Sequence, residues 1–241
     1  MDNQRIVLVS GARGGIGDAL VNDLLRAGHG VIAADVAPAD AVEGHDAHRN
    51  KLTTETDVTS AQSCAAAVAA ALANFGRLDA LVNIAGVCYG GDPITTRDED
   101  WQTTFDINVR GMFLLTQAAL PALVDCRGRA DVINVSSIWG VLGNPNLLAY
   151  SASKFAVEGY TAGLREYGLP RKIRVASIQV DKVDTGFRRH LGAQGEFPPA
   201  RLRRMLTPMD VSAAILFMLH TDDTAMVSSM RLDAPLWSQT E

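Results

Sequence analysis

A serine hydroxyl, a phenol and an ammonium fall within one short stretch of this chain, at Ser137, Tyr150 and Lys154. Tyr150 and Lys154 are four residues apart, so on a helix they share one face. Ser137 lies thirteen residues before Tyr150, where the apolar run Asp131-Val-Ile-Asn-Val-Ser136 reads as a strand that is ending. A strand end and a helix start can flank one pocket. A phenol with a pKa of about 10 exchanges protons poorly at neutral pH. An ammonium beside it stabilises the phenolate and lowers that pKa, which suits the phenol to acid–base work on an alcohol or ketone. A Tyr-x-x-x-Lys pair alone arises by chance on many helices, so the elements that would position it carry the decision.

The first of those elements is at the N-terminus. Ile6-Val-Leu-Val9 reads as a buried strand, Ser10-Gly-Ala-Arg-Gly-Gly-Ile-Gly17 as a glycine turn, and a helical pattern follows to Ala27. In this context Gly11 makes the sharp turn, Gly15 lets the backbone approach a pyrophosphate and Gly17 lets the helix pack on the strand. The helix N-terminus then turns free N–H groups towards the phosphates. A purely structural glycine turn is the alternative. Gly30-Val-Ile-Ala-Ala-Asp35 is a second strand, and Asp35 follows Gly17 by eighteen residues, close to the spacing of an acid that holds an adenosine ribose. A carboxylate there repels a 2′-phosphate and favours NAD over NADP. Arg13 pulls the other way, since a basic residue in the glycine loop attracts that phosphate.

Further along, residues 37–50 read as a loop or short irregular helix and Leu52–Thr56 as a short strand. Asp57-Val58 can cap an adenine, or Asp57 can cap the alanine-rich helix Ser60–Phe75. Leu78–Asn83 is a strand, and Asn83-Ile-Ala85-Gly86 ends it with a flat shelf of small residues. Asp98–Val124 reads as one long amphipathic helix. Asn108 inside it is mildly unfavourable, so it has either a site role or a buried structural hydrogen bond. Asp131–Val135 is a strand, Ser137–Ala149 a loop, Tyr150–Tyr167 a helix and Lys172–Val180 a strand. Asp184–Arg204 is polar and basic with Pro198-Pro199, and the stretch 184–208 is a candidate substrate lid. Pro208–Leu219 is a helix and Met226–Leu232 a last strand. The alternation predicts an α/β fold, a single Rossmann-type doubly wound domain over residues 1–241. It has a parallel sheet of about seven strands with helices on both faces.

Composition narrows the partners. The chain has 241 residues, 47% hydrophobic and 20% charged, with a net charge of −5, which gives no reason to expect nucleic acid or an anionic membrane. No apolar run reads as a membrane span, and the first strand begins almost at once, so a cytoplasmic location is expected. Cys64, Cys88 and Cys126 are scattered and read as free thiols. The five histidines lack ligand spacing, so no metal site is expected.

Taken in order, these motifs resemble the short-chain dehydrogenase/reductase family from Ile6 to about Phe187. They are the glycine motif, Asp35, Asp57-Val58, Asn83-x-Ala-Gly86, Asn108, Ser137, Tyr150-xxx-Lys154 and Val183-Asp-Thr185. The resemblance implies a catalytic tetrad. Tyr150 would exchange the proton with the substrate oxygen, Ser137 would hold that oxygen, Lys154 would lower the Tyr150 pKa and bind the nicotinamide ribose, and Asn108 would hold a water linking Lys154 to solvent. Hydride would pass directly between nicotinamide and the substrate carbon. The cofactor set it implies begins with Gly11, Arg13, Gly15, Ile16 and Gly17. It continues through Asp35, Asp57, Val58, Asn83, Ala85 and Gly86 to Tyr150, Lys154, Val183 and Thr185. Pairing as a homodimer or homotetramer, through the helices that carry Asn108 and Tyr150, is also implied.

Three departures stand out. Ile84 replaces a usual asparagine, Val180-Asp181 replaces a usual Pro-Gly beside the nicotinamide, and Leu232-Asp-Ala-Pro235 replaces a usual Asp-Gly-Gly. Substrate-wall candidates are Ser137, Trp139, Asn144, Tyr150 and Asp181, joined by Tyr89, Leu142, Leu147, Lys182 and Phe187. The leading function is an NAD(H)-dependent oxidoreductase interconverting a secondary alcohol and a ketone. One alternative is an NADPH-linked ketoreductase on an acidic or carrier-bound substrate, suggested by Arg13 and the cluster Arg188, Arg189, Arg201, Arg203 and Arg204. Another is a nucleotide-binding protein with altered chemistry, suggested by Val180-Asp181.

Overall fold

Strand β1 (Ile6–Ser10) is buried at every position, as a run that is apolar on both sides of the pleat requires. In this computed structural model, which describes residues 4–36, 50–187, 191 and 205–234, it lies inside a seven-stranded sheet. The other strands are β2 (Gly30–Asp35), β3 (Lys51–Glu55), β4 (Ala80–Asn83), β5 (Ala130–Ser137), β6 (Ile173–Val180) and β7 (Ser229–Leu232). Their order is β3-β2-β1-β4-β5-β6-β7, and each neighbouring pair is parallel. The chain reverses its winding between β1 and β4, so a crevice opens beyond the C-terminal ends of those strands, where open α/β sheets bind ligands.

The helices are α1 (Gly15–Arg26), α2 (Ala61–Phe75), α3 (Asp98–Phe105), α4 (Met112–Val124), α5 (Leu148–Gly168) and α6 (Pro208–His220). Alternate strand residues feed two separate cores. Ile6 and Leu8 pack with Ile32, Leu81 and Val132 under α2, α4 and α5. Val7 and Val9 pack with Val31, Val82 and Ile178 under α1 and α6. Local chemistry fixes the helix ends. Ser60 caps α2 by accepting from the Ser63 N–H, and Gly76 closes it at φ 73. Thr207 and Asp210 form a reciprocal capping box on α6, with Pro208 in its first turn.

The expected helix Asp98–Val124 is continuous in path but not uniform: residues Asp106–Gly111 form a π segment between α3 and α4. That stretch, at 27 residues, is also long and apolar enough to cross a membrane, which corrects the reading that no run reaches that length. Its apolar side is used within the fold, because Leu115, Ala119 and Leu123 are buried against α2 and the sheet. Residues 37–49, the arginines 188, 189, 201, 203 and 204, Pro198-Pro199 and Pro235 lie outside the described residues. So does most of the candidate lid. Its two described ends are tied side by side: the Asp184 N–H donates to the Leu206 carbonyl at 2.8 Å, and the Leu206 N–H to the Lys182 carbonyl at 3.0 Å.

Candidate active site

The glycine turn after β1 needs its glycines. Gly11 has φ +66, and a Cβ on it would stand 2.8 Å from the Ala85 amide nitrogen. A Cβ on Gly17 would stand 2.1 Å from the Gly11 carbonyl oxygen. The turn is therefore clamped between the Ala85 shelf and the start of α1. Ser10 strengthens the clamp by accepting from the N–H groups of Ile84 and Ala85 at 3.1 and 3.3 Å. Gly14 caps α1 without any side-chain bond, so the first-turn amides, including those of Gly15, Ile16 and Gly17, face the crevice uncapped by a side chain. The position of a Gly15 Cβ lies 2.7 Å from Thr185 Cγ2, which brings the segment after β6 against the loop. Val183 sits just before it, in a parallel bridge with Leu206.

At the end of β2, Asp35 accepts the Arg13 backbone N–H at 2.9 Å. Its register partner on β3 is Glu55, so a second acid stands one strand out from Asp35, on the far side from the glycine loop. Sequence reading missed Glu55, because nothing in spacing alone reveals parallel register across a long loop. Asp57 does not cap α2; Ser60 does. Asp57 instead holds its own turn by accepting from the Thr59 N–H and hydroxyl at 2.9 and 2.7 Å. Val58 is buried and packs on Gly111, whose Cβ would stand 2.7 Å from Val58 Cγ2.

Asn83 turns inward. Its amide donates to Thr116 and Asn134, and Asn134 donates to Thr161, which makes a buried polar thread beneath the shelf. Asn108 is buried in the π segment with both amide protons engaged, to the Val87 carbonyl at 2.9 Å and Ser153 Oγ at 3.0 Å. Its Oδ1 accepts from the Val87 N–H at 2.8 Å and leaves only 3.1 Å for a Cβ on Gly86. The Asn108 side chain is thus a brace between the shelf and α5, and the wider π turn lets it reach both.

Ser137, Tyr150 and Lys154 converge where β5 ends. All three are buried, and Ser137 lies close enough to the Tyr150 phenol to act on its titration. Ser137 also accepts from the Trp139 N–H at 3.2 Å, in a tight turn that sets the half-buried Trp139 beside the site. The Phe187 ring meets the Tyr150 ring edge-on at 5.9 Å. The expectation that Lys154 lowers the Tyr150 pKa is not met here. Burial pushes the phenol up, the neighbouring Cys88 thiol adds to the rise, and the nearby Ser137 side chain opposes it. Lys154 Nζ stands 5.6 Å from the Tyr150 ring centroid and donates to the Val135 carbonyl at 2.9 Å, so its charge is directed at β5. Burial lowers Lys154 itself to about 8, against the raising effect of Cys88 and Glu158. Cys88 is pushed up to about 12 by burial. Neither Cys88 nor Glu158 was singled out for the site from sequence, although Glu158 follows Lys154 by one helical turn.

The pocket walls are built from two tied loops. The Gly91 N–H donates to the Asn146 carbonyl at 2.9 Å, and the Leu148 N–H to the Gly91 carbonyl at 3.2 Å, which links the loop of Tyr89 to that of Leu142 and Leu147. Asn144 shapes its own loop, accepting the Asn146 N–H at 2.9 Å. Asp181 pairs with Lys182 at 3.4 Å. Its N–H donates to the Leu232 carbonyl at 3.0 Å and so continues the sheet bonding past β6. A proline at Val180 and a glycine at Asp181 would not change that bond, but Asp181 adds a carboxylate that is nearly buried.

A family model described as short chain dehydrogenase matches residues 5–196. The chain belongs to this family. It is accordingly an oxidoreductase. Among its relatives, cyclopentanol dehydrogenase from Comamonas testosteroni is 34% identical over 243 residues, covering 95% of each chain. Trans-4-hydroxycyclohexanecarboxylate dehydrogenase from Sinomonas cyclohexanicum is 33% identical, over 95% of this chain and 90% of that one. A solved structure of 3-ketoacyl-(acyl-carrier-protein) reductase from Brucella melitensis, complexed with NADH, superposes with a TM-score of 0.84 at 26% identity over 95% of this chain and 97% of that one. The residues of this short-chain dehydrogenase fit a dinucleotide. The glycine loop is one that side chains would fill, the α1 amides are turned outward, and a carboxylate stands at the end of β2.

Proposed function

We propose that the protein is an NAD-linked dehydrogenase that interconverts a secondary alcohol and a ketone, with Tyr150 exchanging the proton. The observation that carries the reading is the burial of Ser137, Tyr150 and Lys154 together where β5 ends, with Lys154 one turn along from Tyr150 and the glycine loop at the same C-terminal edge of the sheet. The first-turn amides of α1 would receive the pyrophosphate, and Asp35 the adenosine ribose hydroxyls. Glu55 beside Asp35 adds a second negative charge where NADP would place its 2′-phosphate, which supports NAD. A bound nicotinamide ring supplies the hydride acceptor or donor. Ser137 would hold the substrate oxygen against Tyr150. Lys154 would lend its positive charge to the phenolate as it forms, and Asn108 would brace the helix that carries both. Trp139, Tyr89 and Leu147 give the pocket apolar walls, and the cyclic alcohols named for two relatives suit such walls.

The test is absorbance at 340 nm with NAD and with NADP over a panel of cyclic and open-chain secondary alcohols. Growth with NAD on at least one cyclic alcohol is the expected result. No growth across the panel with either nucleotide would overturn the reading, and a preference for NADP would move it to the NADPH-linked ketoreductase. That alternative draws support from relatives such as the 3-oxoacyl-acyl-carrier-protein reductase of Thermotoga maritima, 29% identical over 93% of each chain.

A homo-oligomer in a reducing, cytoplasmic setting belongs to the same proposal. Phe113 on α4 and Phe155 on α5 are exposed, and Phe113, Val109 and Tyr160 line one shallow apolar depression between the helices that carry Asn108 and Tyr150. The three cysteines are free thiols. Light scattering should give the mass of two or four chains, and the mass of one chain would remove the assembly from the proposal.

A further inference from the structure

The α5 face that carries Tyr150 and Lys154 continues one turn further to Glu158. Both head groups beyond Tyr150 are anchored on the sheet. Lys154 Nζ donates to the Val135 carbonyl at 2.9 Å, and Glu158 Oε2 accepts from Ser177 Oγ at 2.8 Å. In the β5–β6 register Asn134 lies opposite Ser177 and Val135 opposite Ile178. The two anchors are therefore one step apart on neighbouring strands, which are about 5 Å apart. Glu158 Oε1 is buried and has no hydrogen-bond partner among the described residues, and the same holds for Ser136 Oγ. Ser136 lies under this same stretch of helix: a Cβ on Gly140 would touch both Ser136 Oγ at 2.7 Å and the Lys154 carbonyl at 2.9 Å. A buried carboxylate oxygen with no donor is costly unless an opposite charge balances it. The cation one turn away is Lys154. Other titratable groups facing Lys154 are Tyr150 on its own helix and Cys88 from the loop after β4. Arg165, two turns beyond Glu158, is committed to the carbonyls of Val175 and Ser228 at 2.9 and 2.6 Å.

We propose that Glu158 is a positioning residue for the reaction: its carboxylate, held by Ser177, keeps the Lys154 ammonium charged and fixed behind the tyrosine. The inference rests on the reading of Tyr150 and Lys154 as the acid–base pair. Glu158 touches neither substrate nor cofactor in this scheme and acts only through Lys154. Without it, burial tips Lys154 towards the neutral amine, which no longer favours a phenolate.

The test follows the Lys154 Cε resonance of the whole protein against pH in the wild type, E158Q, E158A and E158D. E158Q and E158A should move the lysine midpoint, near 8 in the wild type, downward by roughly one unit. The alkaline limb of kcat should move with it, and E158D should recover at least half of both shifts. A folded E158Q or E158A that keeps the wild-type midpoint overturns the proposal, as does an equal loss of kcat at every pH with the limb unmoved. The lysine titration needs no turnover. Failure of the wild type to turn over any alcohol therefore counts against the acid–base pair, while the resonance still decides the role of Glu158.

Discussion

The two ends of the sheet treat buried polar groups in opposite ways. At the N-terminal ends of the strands, Asp131 is buried and both of its oxygens are paired: Oδ1 with Arg174 at 2.7 Å, and Oδ2 with Arg5 at 2.6 Å and Arg129 at 3.4 Å. Asp79 beside it accepts from the Ile6 N–H at 2.7 Å, from Arg77 at 2.9 Å and from the Cys126 thiol at 3.2 Å. Arg5, Arg129 and Arg174 go on to bond the last carbonyls of α6, where cations suit the helix dipole. At the C-terminal ends, Asn83 Oδ1, Ser136 Oγ and Glu158 Oε1 are buried without partners among the described residues, Tyr150 is pushed up, and Lys154 is pulled down. One end is satisfied and ties four strands and a helix together. The other leaves groups short of satisfaction directly behind the residues proposed to do chemistry.

Mutations at the paired end should remove stability and leave chemistry alone. Asp131→Asn strands the guanidinium groups of Arg5 and Arg174 without their counter-charge. It should cost about 3–5 kcal/mol of unfolding free energy, measured by urea denaturation, with kcat of the surviving folded protein within a few-fold of wild type. A loss of under about 1 kcal/mol would erase the contrast between the two ends.

Asp35→Ser tests the open end with a smaller effect. Losing charge-assisted hydrogen bonds to the ribose should raise the KM for NAD by about ten-fold or more and narrow the preference over NADP, with little change in melting temperature. Glu55, still beside the site, should keep that preference from inverting.

The smallest effect belongs to pH. His29 Nδ1 accepts the Arg5 N–H at 3.2 Å, so its Nε2 carries the proton it shares with His220 at 2.8 Å. Burial first, then the nearby His220 and Arg5, hold His29 down at about 4. An unfolded histidine takes up its proton near 6.5, and the folded one refuses it until about 4, so this pair's contribution to stability falls as pH drops through that window. Melting temperature should decline from pH 7.5 to 5, and His29→Gln should flatten that slope. An equal slope in the variant would place the acid sensitivity elsewhere.

Much of the fold was legible because its signals are local. Ile6-Val-Leu-Val9 and Gly30–Asp35 are apolar on both sides of the pleat, and that marks strands covered on both faces. The spacing of Tyr150 and Lys154 on one helix, after a strand that ends at Ser137, was equally readable. What stayed hidden depends on contacts between distant segments. Glu55 becomes a neighbour of Asp35 only through parallel register, and Cys88 belongs to the loop after β4 that Asn108 holds at Val87. The π segment at Asp106–Gly111 likewise lay inside what reads from sequence as one uniform helix. The titration of Tyr150 was misjudged for a related reason: a lysine one turn away suggests a lowered pKa, whereas complete burial sets the opposite direction.

The account comes down to the phenol at Tyr150, and the direct measurement is kcat and melting temperature side by side for the wild type and Tyr150→Phe, with NAD and the best secondary alcohol. Loss of the proton-exchanging group should lower kcat by about 10²–10⁴-fold while the melting temperature holds. A Tyr150→Phe protein that turns over within a few-fold of wild type would contradict it.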